Sequence, residues 1–252
     1  GKFAGSFEFD GVDDYFEMPD SNDWDMPSWT IMGWFNMSGP GVNVNTGSGG
    51  MLYYPIISKG MAETEKGIDD MAFAVGVCNE SDATCPRTGL AVDFEIITNS
   101  TNVPLVGDTN LSFNEWYHFA AVYDNSTTTL KLYLNGKLDG SRDTFTQATQ
   151  SSIMRVGIGT SFKTDNTTTG AWNGLIDNLV VINRSLSQAE IIPYYNLSAQ
   201  KYYWNANVSN GSTNLSSGVY QFNLTQNYAP SMQLVNPAIG TNTENTSMNL
   251  KI

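Results

Sequence analysis

Leu130-Lys131-Leu132-Tyr133-Leu134-Asn135-Gly136 is the stretch that decides the fold class. Leucines alternate with other side chains at the period of a strand buried on one face. The run ends on Asn-Gly, the dipeptide best suited to the two left-handed conformations of a tight hairpin turn. Further strand signals run from Ser6 to Asp10, Trp29 to Met37, Pro55 to Lys59, Met71 to Cys78, Leu90 to Thr98, Glu115 to Asp124, Met154 to Thr160 and Leu175 to Asn183. In Met71-Ala72-Phe73-Ala74-Val75-Gly76-Val77, large side chains alternate with small ones, as where one face is buried and the other lies close to a neighbour. Many short strands joined by Gly/Asn turns predict an all-β antiparallel sandwich.

One helical signal stands out. Ser187-Gln188-Ala189-Glu190 is a capping box, and Pro193 is expected to stop the helix after about one turn. Ser38 to Met51, rich in Gly and Asn, reads as a long loop at one end of the sandwich. After Asn196 the texture changes. Tyr202 to Ala206 and Val219 to Leu224 read as a hairpin within residues 198–229. Residues 230–252 read as opening strands of a further domain, or as a strand that pairs with another copy of the chain.

The chain has 252 residues, 40% of them apolar, enough for one large core. A formal charge of -13 sets it against nucleic acid and anionic membranes. No apolar run is long enough to span a bilayer, so no direct membrane insertion is expected from these residues. The chain opens on a strand-like pattern without a signal-peptide core, as expected of a mature or excised chain. Cys78 and Cys85 fit no zinc spacing and are expected to form a local disulfide, with two free thiols the alternative. Asn-x-Ser/Thr triplets begin at Asn36, Asn79, Asn99, Asn110, Asn125, Asn166, Asn183, Asn196, Asn207, Asn210, Asn214, Asn223 and Asn245. Most lie between apolar runs, where a glycan would project into water, so a secreted or cell-surface glycoprotein is expected.

Phe9-Asp10-Gly11-Val12-Asp13-Asp14-Tyr15-Phe16-Glu17-Met18-Pro19-Asp20 followed by Trp29-Thr30-Ile31-Met32-Gly33-Trp34-Phe35 resembles the opening of the LamG-like jelly-roll domains of the concanavalin A-like lectin/glucanase fold. Trp116 to Asp124, Leu132 to Gly136, Trp172 to Asn178 and Leu186 to Ile191 continue the likeness over about the first 195 residues. The resemblance implies a two-sheet jelly roll, a binding or adhesive role and, in many members, a calcium ion. The tail resembles the linkers and Ig-like modules of large prokaryotic, including archaeal, surface proteins.

Asp177 shares strand parity with Leu175, Leu179 and Val181, so its carboxylate is expected on their apolar side and in need of a partner. Asp10, Asp13 and Asp14 of the opening loop are the acids available, and converging carboxylates call for a cation such as Ca²⁺. The expectation is a calcium clasp joining first strand to last. The bland alternative has Asp177 accepting backbone amides and the loop acids forming turns. Trp24, between Asp23 and Asp25, is the candidate for stacking on a sugar ring, or else a cover on the core rim. Glu8-Phe9-Asp10-Gly11-Val12-Asp13 approaches the glucanase pattern Glu-x-Asp-x-x-Glu but ends in Asp within a turn, and the one histidine, His118, lies in an apolar strand. No catalytic residues are assigned. The function expected is a non-enzymatic structural or adhesive role at the cell surface, with surface glycans or other copies of itself as partners. A lectin module and a self-assembling filament or surface-layer subunit are the alternatives.

Overall fold

The computed structural model describes residues 5–47, 50–61, 71–78, 85, 89–98, 101–143, 145 and 151–196, and the backbone of four strands beyond residue 200. The chain divides into two units, Gly1–Ser198 and Ala199–Ile252. The first contains β1 (Phe7–Asp10), β2 (Phe16–Met18), β3 (Trp29–Met37), β4 (Val44–Asn45), β5 (Leu52–Lys59), β6 (Phe73–Cys78), β7 (Ala91–Thr98) and β8 (Thr101–Val106). It continues with β9 (Trp116–Asp124), β10 (Thr129–Leu134), β11 (Lys137–Arg142), β12 (Val156–Ile158), β13 (Ser161–Phe162), β14 (Thr168–Thr169), β15 (Asn173–Ile182) and α1 (Gln188–Tyr195).

Two antiparallel sheets hold most of these strands. One runs β1-β15-β3-β9-β10-β11 and the other β2-β12-β5-β6-β7-β8, with β4 on β5. The Asn-Gly turn forms between β10 and β11, with Asn135 at φ 49° and Gly136 at φ 74°, the pair of positive angles that a two-residue hairpin with native twist requires. Between the sheets, Trp29 sits 5.1 Å from Phe73, 5.2 Å from Phe94 and 6.0 Å from Tyr123, measured between ring centroids. Phe35, Phe119, Ile57, Val75, Leu132 and Ile176 complete the surrounding core. β3 is buried along its whole length because its other face is covered too: Met32, Ala120, Val122, Tyr133, Leu186 and Ile191 form a second apolar layer under α1.

The helix is twice as long as its sequence suggests. Pro193 lies inside it, and Asn196 N–H still donates to Ile192 O at 2.9 Å. Burial of Ile191 and stacking of Tyr195 on Trp34, centroids 5.6 Å apart, hold the second turn against the proline's loss of one amide donor. The capping box forms, with Ser187 N–H donating to Glu190 Oε2 at 2.9 Å. Contacts from the Ser187 amide and hydroxyl, then from Arg184, hold the Glu190 carboxyl down at about 2.

In the second unit, β16 (Lys201–Trp204) pairs with β19 (Tyr220–Asn223), and β17 (Asn207–Ser209) with β18 (Asn214–Ser216), all antiparallel. Residues 230–252 lie outside the described residues.

Candidate functional site

β1 and β2 end their respective sheets, and both lie on one flank of the sandwich. The Asp10–Tyr15 turn crosses from one to the other. Gly11 at φ 80° makes this turn possible, and a Cβ there would lie 2.8 Å from Cβ of Asn173. Asp10 Oδ1 accepts Val12 N–H at 2.8 Å, and Asp14 Oδ2 accepts Asp10 N–H at 3.1 Å. Asp10, Asp13 and Asp14 are exposed, and one carboxylate oxygen of each lies within 4.8 Å of the others. That spacing suits calcium, whose oxygen ligands stand at roughly 2.3–2.6 Å.

Aromatic side chains crowd the same flank. Phe7 is 57% exposed, Tyr15 44% and Phe16 43%. Phe7 and Phe16 meet edge to face at 4.6 Å, Phe9 closes on Phe16 at 5.9 Å from the core side, and Tyr15 leans on Phe162 at 5.8 Å. Phe7 and Phe16 thus form an apolar ledge, exposed to water, beside a cluster of acids, while Tyr15 lies apart on Phe162.

Asp177 is not part of that cluster. Asp10 pairs with Asn173, so Asp177 stands four residues further along β15, roughly 13 Å away at the ordinary rise of a strand. The clasp drawn from the sequence therefore does not form with this residue. The parity argument also breaks. A bulge between Asp177 and Val180, with Asn178 at φ 48°, reverses the faces, so that Ile176, Leu179 and Val181 meet the inter-sheet core while Asp177 turns outward. It lies in a row with Trp34 and His118 across β15, β3 and β9. The His118 ring is 5.3 Å from Trp34 and 5.9 Å from Tyr195, and burial pushes it down to about 4.

Trp24 is half-buried and faces Phe73 at 6.4 Å as part of the core rim, so it offers no free platform. A part-buried ion pair anchors the loop before it: Lys59, wholly buried, donates to the more exposed Asp20 and to Met154 O. Cys78 and Cys85 form a disulfide. Asn36 is 8% exposed near the C-terminal end of β3, between Leu175 and Trp116, and no glycan fits there in the folded domain. Asn110, Asn166, Asn183 and Asn196 are exposed, and Asn125 partly so. Asn79, Asn99, Asn210 and Asn245 lie outside the described residues, and Asn207, Asn214 and Asn223 sit on strands described by backbone alone.

The sequence reading passed over an acidic pair, Asp93 and Glu95, side by side on the outer face of β7. Both are fully buried. Thr46 Oγ1 donates to Glu95 Oε2 at 2.6 Å and Asn102 Nδ2 to Thr46 O at 2.8 Å, so the segment carrying Thr46 lies over Glu95. On the same outer face, the Tyr53 hydroxyl pairs with Ser161 Oγ at 2.9 Å, and burial pushes the Tyr53 phenol up. The alternation Asp-x-Glu was a signal for this pair, but nothing local marks the segment that covers it.

Two twisted antiparallel sheets, a sequential edge turn and a covering helix define a lectin-like jelly roll. Residues 10–192 match the concanavalin A-like lectin/glucanases superfamily, and the chain belongs to it. No curated protein matches the chain. Among solved structures, it is similar to a native heptameric SAP-like pentraxin from Limulus polyphemus, with 15% identity, 85% of this chain and 92% of the other covered, and a TM-score of 0.50. It is similar to the CBM40 of the Ruminococcus gnavus IT-sialidase bound to α2,6-sialyllactose, with 14% identity, coverage of 77% and 97%, and a TM-score of 0.52. It is also similar to domain 4 of an extracellular arabinanase from Geobacillus stearothermophilus in complex with arabinotriose, with 15% identity, coverage of 78% and 79%, and a TM-score of 0.50. At these identities the likeness is one of fold.

Proposed function

We propose that the chain is a non-catalytic carbohydrate-binding domain that works outside the cell. Its site is the flank where β1 and β2 leave both sheet edges open. The observation that carries the reading is the exposed ledge of Phe7 and Phe16. Solvent-exposed aromatic faces match the apolar face of a sugar ring, and clustered exposed apolar surface marks an interaction site. One further observation supports it. The sialyllactose and arabinotriose held by the two bacterial neighbours show that this fold presents surfaces to glycans.

Asp10, Asp13 and Asp14 would hold the calcium ion that the resemblance implies. Bound calcium would supply positive charge to fix the turn that carries Tyr15 and Phe16. A non-catalytic role accords with Asp93 and Glu95 lying buried, where no sugar reaches them. The disulfide suits an oxidising compartment. Among the described residues no helix is long and apolar enough to cross a membrane.

The test is a glycan array probed with the wild-type domain and with Phe7→Ala/Phe16→Ala. Hits that weaken at least tenfold in the double variant, with an unchanged melting profile, support the reading. Hits that survive the double variant remove the ledge from it, and an array without hits removes the reading itself.

A further inference from the structure

Charge around the ledge separates one class of sugar from another. Glu8, Asp10, Asp13 and Asp14 are all exposed on or beside β1. Recognition of a sugar carboxylate or sulfate calls for a cation, best an arginine whose planar fork binds two oxygens at once. Among the described residues most cations are committed or remote. Lys131, Lys137 and Arg142 lie on β10 and β11, four and five strands across the sheet from β1, roughly 19–24 Å at the usual strand spacing. Lys59 is buried on Asp20, and Arg184 is held by Glu190 at 2.7 Å. Lys163 follows Phe162 and, after the Thr167 hydroxyl and amide, contributes to holding down the carboxyl of Asp165. The remaining described arginine, Arg155, precedes β12, the strand next to β2, with its guanidinium carbon 6.0 Å from the centroid of the Phe162 ring that Tyr15 packs on. It donates to Glu17 Oε2 at 3.1 Å, with both side chains open to solvent.

Resting on the carbohydrate reading above, we infer that this flank accepts uncharged glycans and rejects anionic ones, with Glu17 the residue that withdraws Arg155 from ligands. Glu17 sets specificity by occupying the described arginine fork nearest the ledge, while Glu8 and, with calcium removed, the neighbouring aspartates repel the approaching anion.

The experiment uses matched sugars differing in charge alone: lactose against 6′-sialyllactose, and methyl-esterified against free galacturonan oligomers. Affinity is measured by calorimetry on the full chain, in calcium and in chelator, at low and high salt. The uncharged member of a pair should bind about tenfold tighter at low salt, the margin shrinking as salt screens the aspartates. Glu17→Gln should raise affinity for the anionic member about tenfold and leave the uncharged member unchanged. Tighter binding of the anionic member to wild type overturns the inference and leaves the carbohydrate reading standing. So does an equal response of Glu17→Gln and wild type to the anion. If neither member of any pair binds in either buffer and the array is also blank, the carbohydrate reading itself falls.

Discussion

Acidifying the protein from pH 7 to pH 5 should cost it about 2 kcal/mol through one residue. The chain holds a single histidine, so a group with an ordinary side-chain titration near pH 6.5 is unique to His118. In the fold its ring is enclosed by Trp34 and Tyr195, and burial pushes it down to about 4. Unfolded, it takes a proton below about pH 6.5. Between those two values the unfolded state binds more protons than the folded one, so stability is full above about pH 6.5 and falls as pH falls. The gap of about 2.5 units allows a loss of about 2 kcal/mol at pH 5, rising to about 3 kcal/mol at pH 4. Urea titrations at half-unit steps from pH 7.5 to 4.5 measure it; with a slope near 2 kcal/mol/M the midpoint should fall by about 1 M between pH 7 and pH 5. His118→Phe keeps an aromatic ring in the slot. Nδ1 has no hydrogen-bond partner among the described residues, so the replacement should match wild type at pH 7 and lose the slope. The lowered carboxyls of Asp124, Asp165 and Glu190 also lose stability on acidification, but each does so from its ordinary carboxylate range downward, below this window. A wild-type midpoint flat between pH 7 and pH 5, or an equal slope in His118→Phe, would refute the reasoning.

Other perturbations test other parts of the structure. Asp20→Asn leaves the buried Lys59 ammonium without its counter-charge and should cost about 3 kcal/mol in denaturant unfolding, with Asp20→Asn/Lys59→Met recovering part of it. Replacing Cys78 and Cys85 with serine opens a loop whose ends are seven residues apart; chain entropy puts the cost at about 2.5 kcal/mol, read from urea midpoints with and without reductant. If the Asp10–Asp14 turn holds calcium with the roughly 0.1–1 mM affinity of extracellular modules, 5 mM calcium should stabilise the chain by about 1–2 kcal/mol. Asp13→Asn should abolish the shift in melting temperature between calcium and chelator, and an identical wild-type melt in both would remove the ion.

Local pattern was a good guide where a residue's neighbours in sequence determine its surroundings. Leu130 to Gly136 forms its strand and turn, and Ser187 and Glu190 form their capping box. Six strands of the first unit, β2, β4, β8, β11, β13 and β14, left no such mark. β8 carries Pro104 and β11 is polar with a central Gly140, and both are outermost strands, where missing amide donors and weak apolar patterning are tolerated because one side has no partner. Parity misled at Asp177 because one left-handed residue, Asn178, interrupts the pleat that counting by twos assumes. The ledge was equally hidden. Phe7 and Phe9 share a parity, yet Phe9 is buried and Phe7 is open, a difference set by where the flank ends. The cover over Glu95 comes from a Gly/Asn-rich segment with no periodicity, so its placement is a property of tertiary contacts alone.

β15 and β9, the strands that enclose Asn36, are both encoded downstream of it. In a cell whose transferase reads emerging chains, Asn36-Met37-Ser38 is therefore offered while still naked, before either neighbour has been made. An oligosaccharide attached at that moment would stand where β3 must enter the sheet. The yield of native molecules is then set during translation, by a race that this one triplet has to escape.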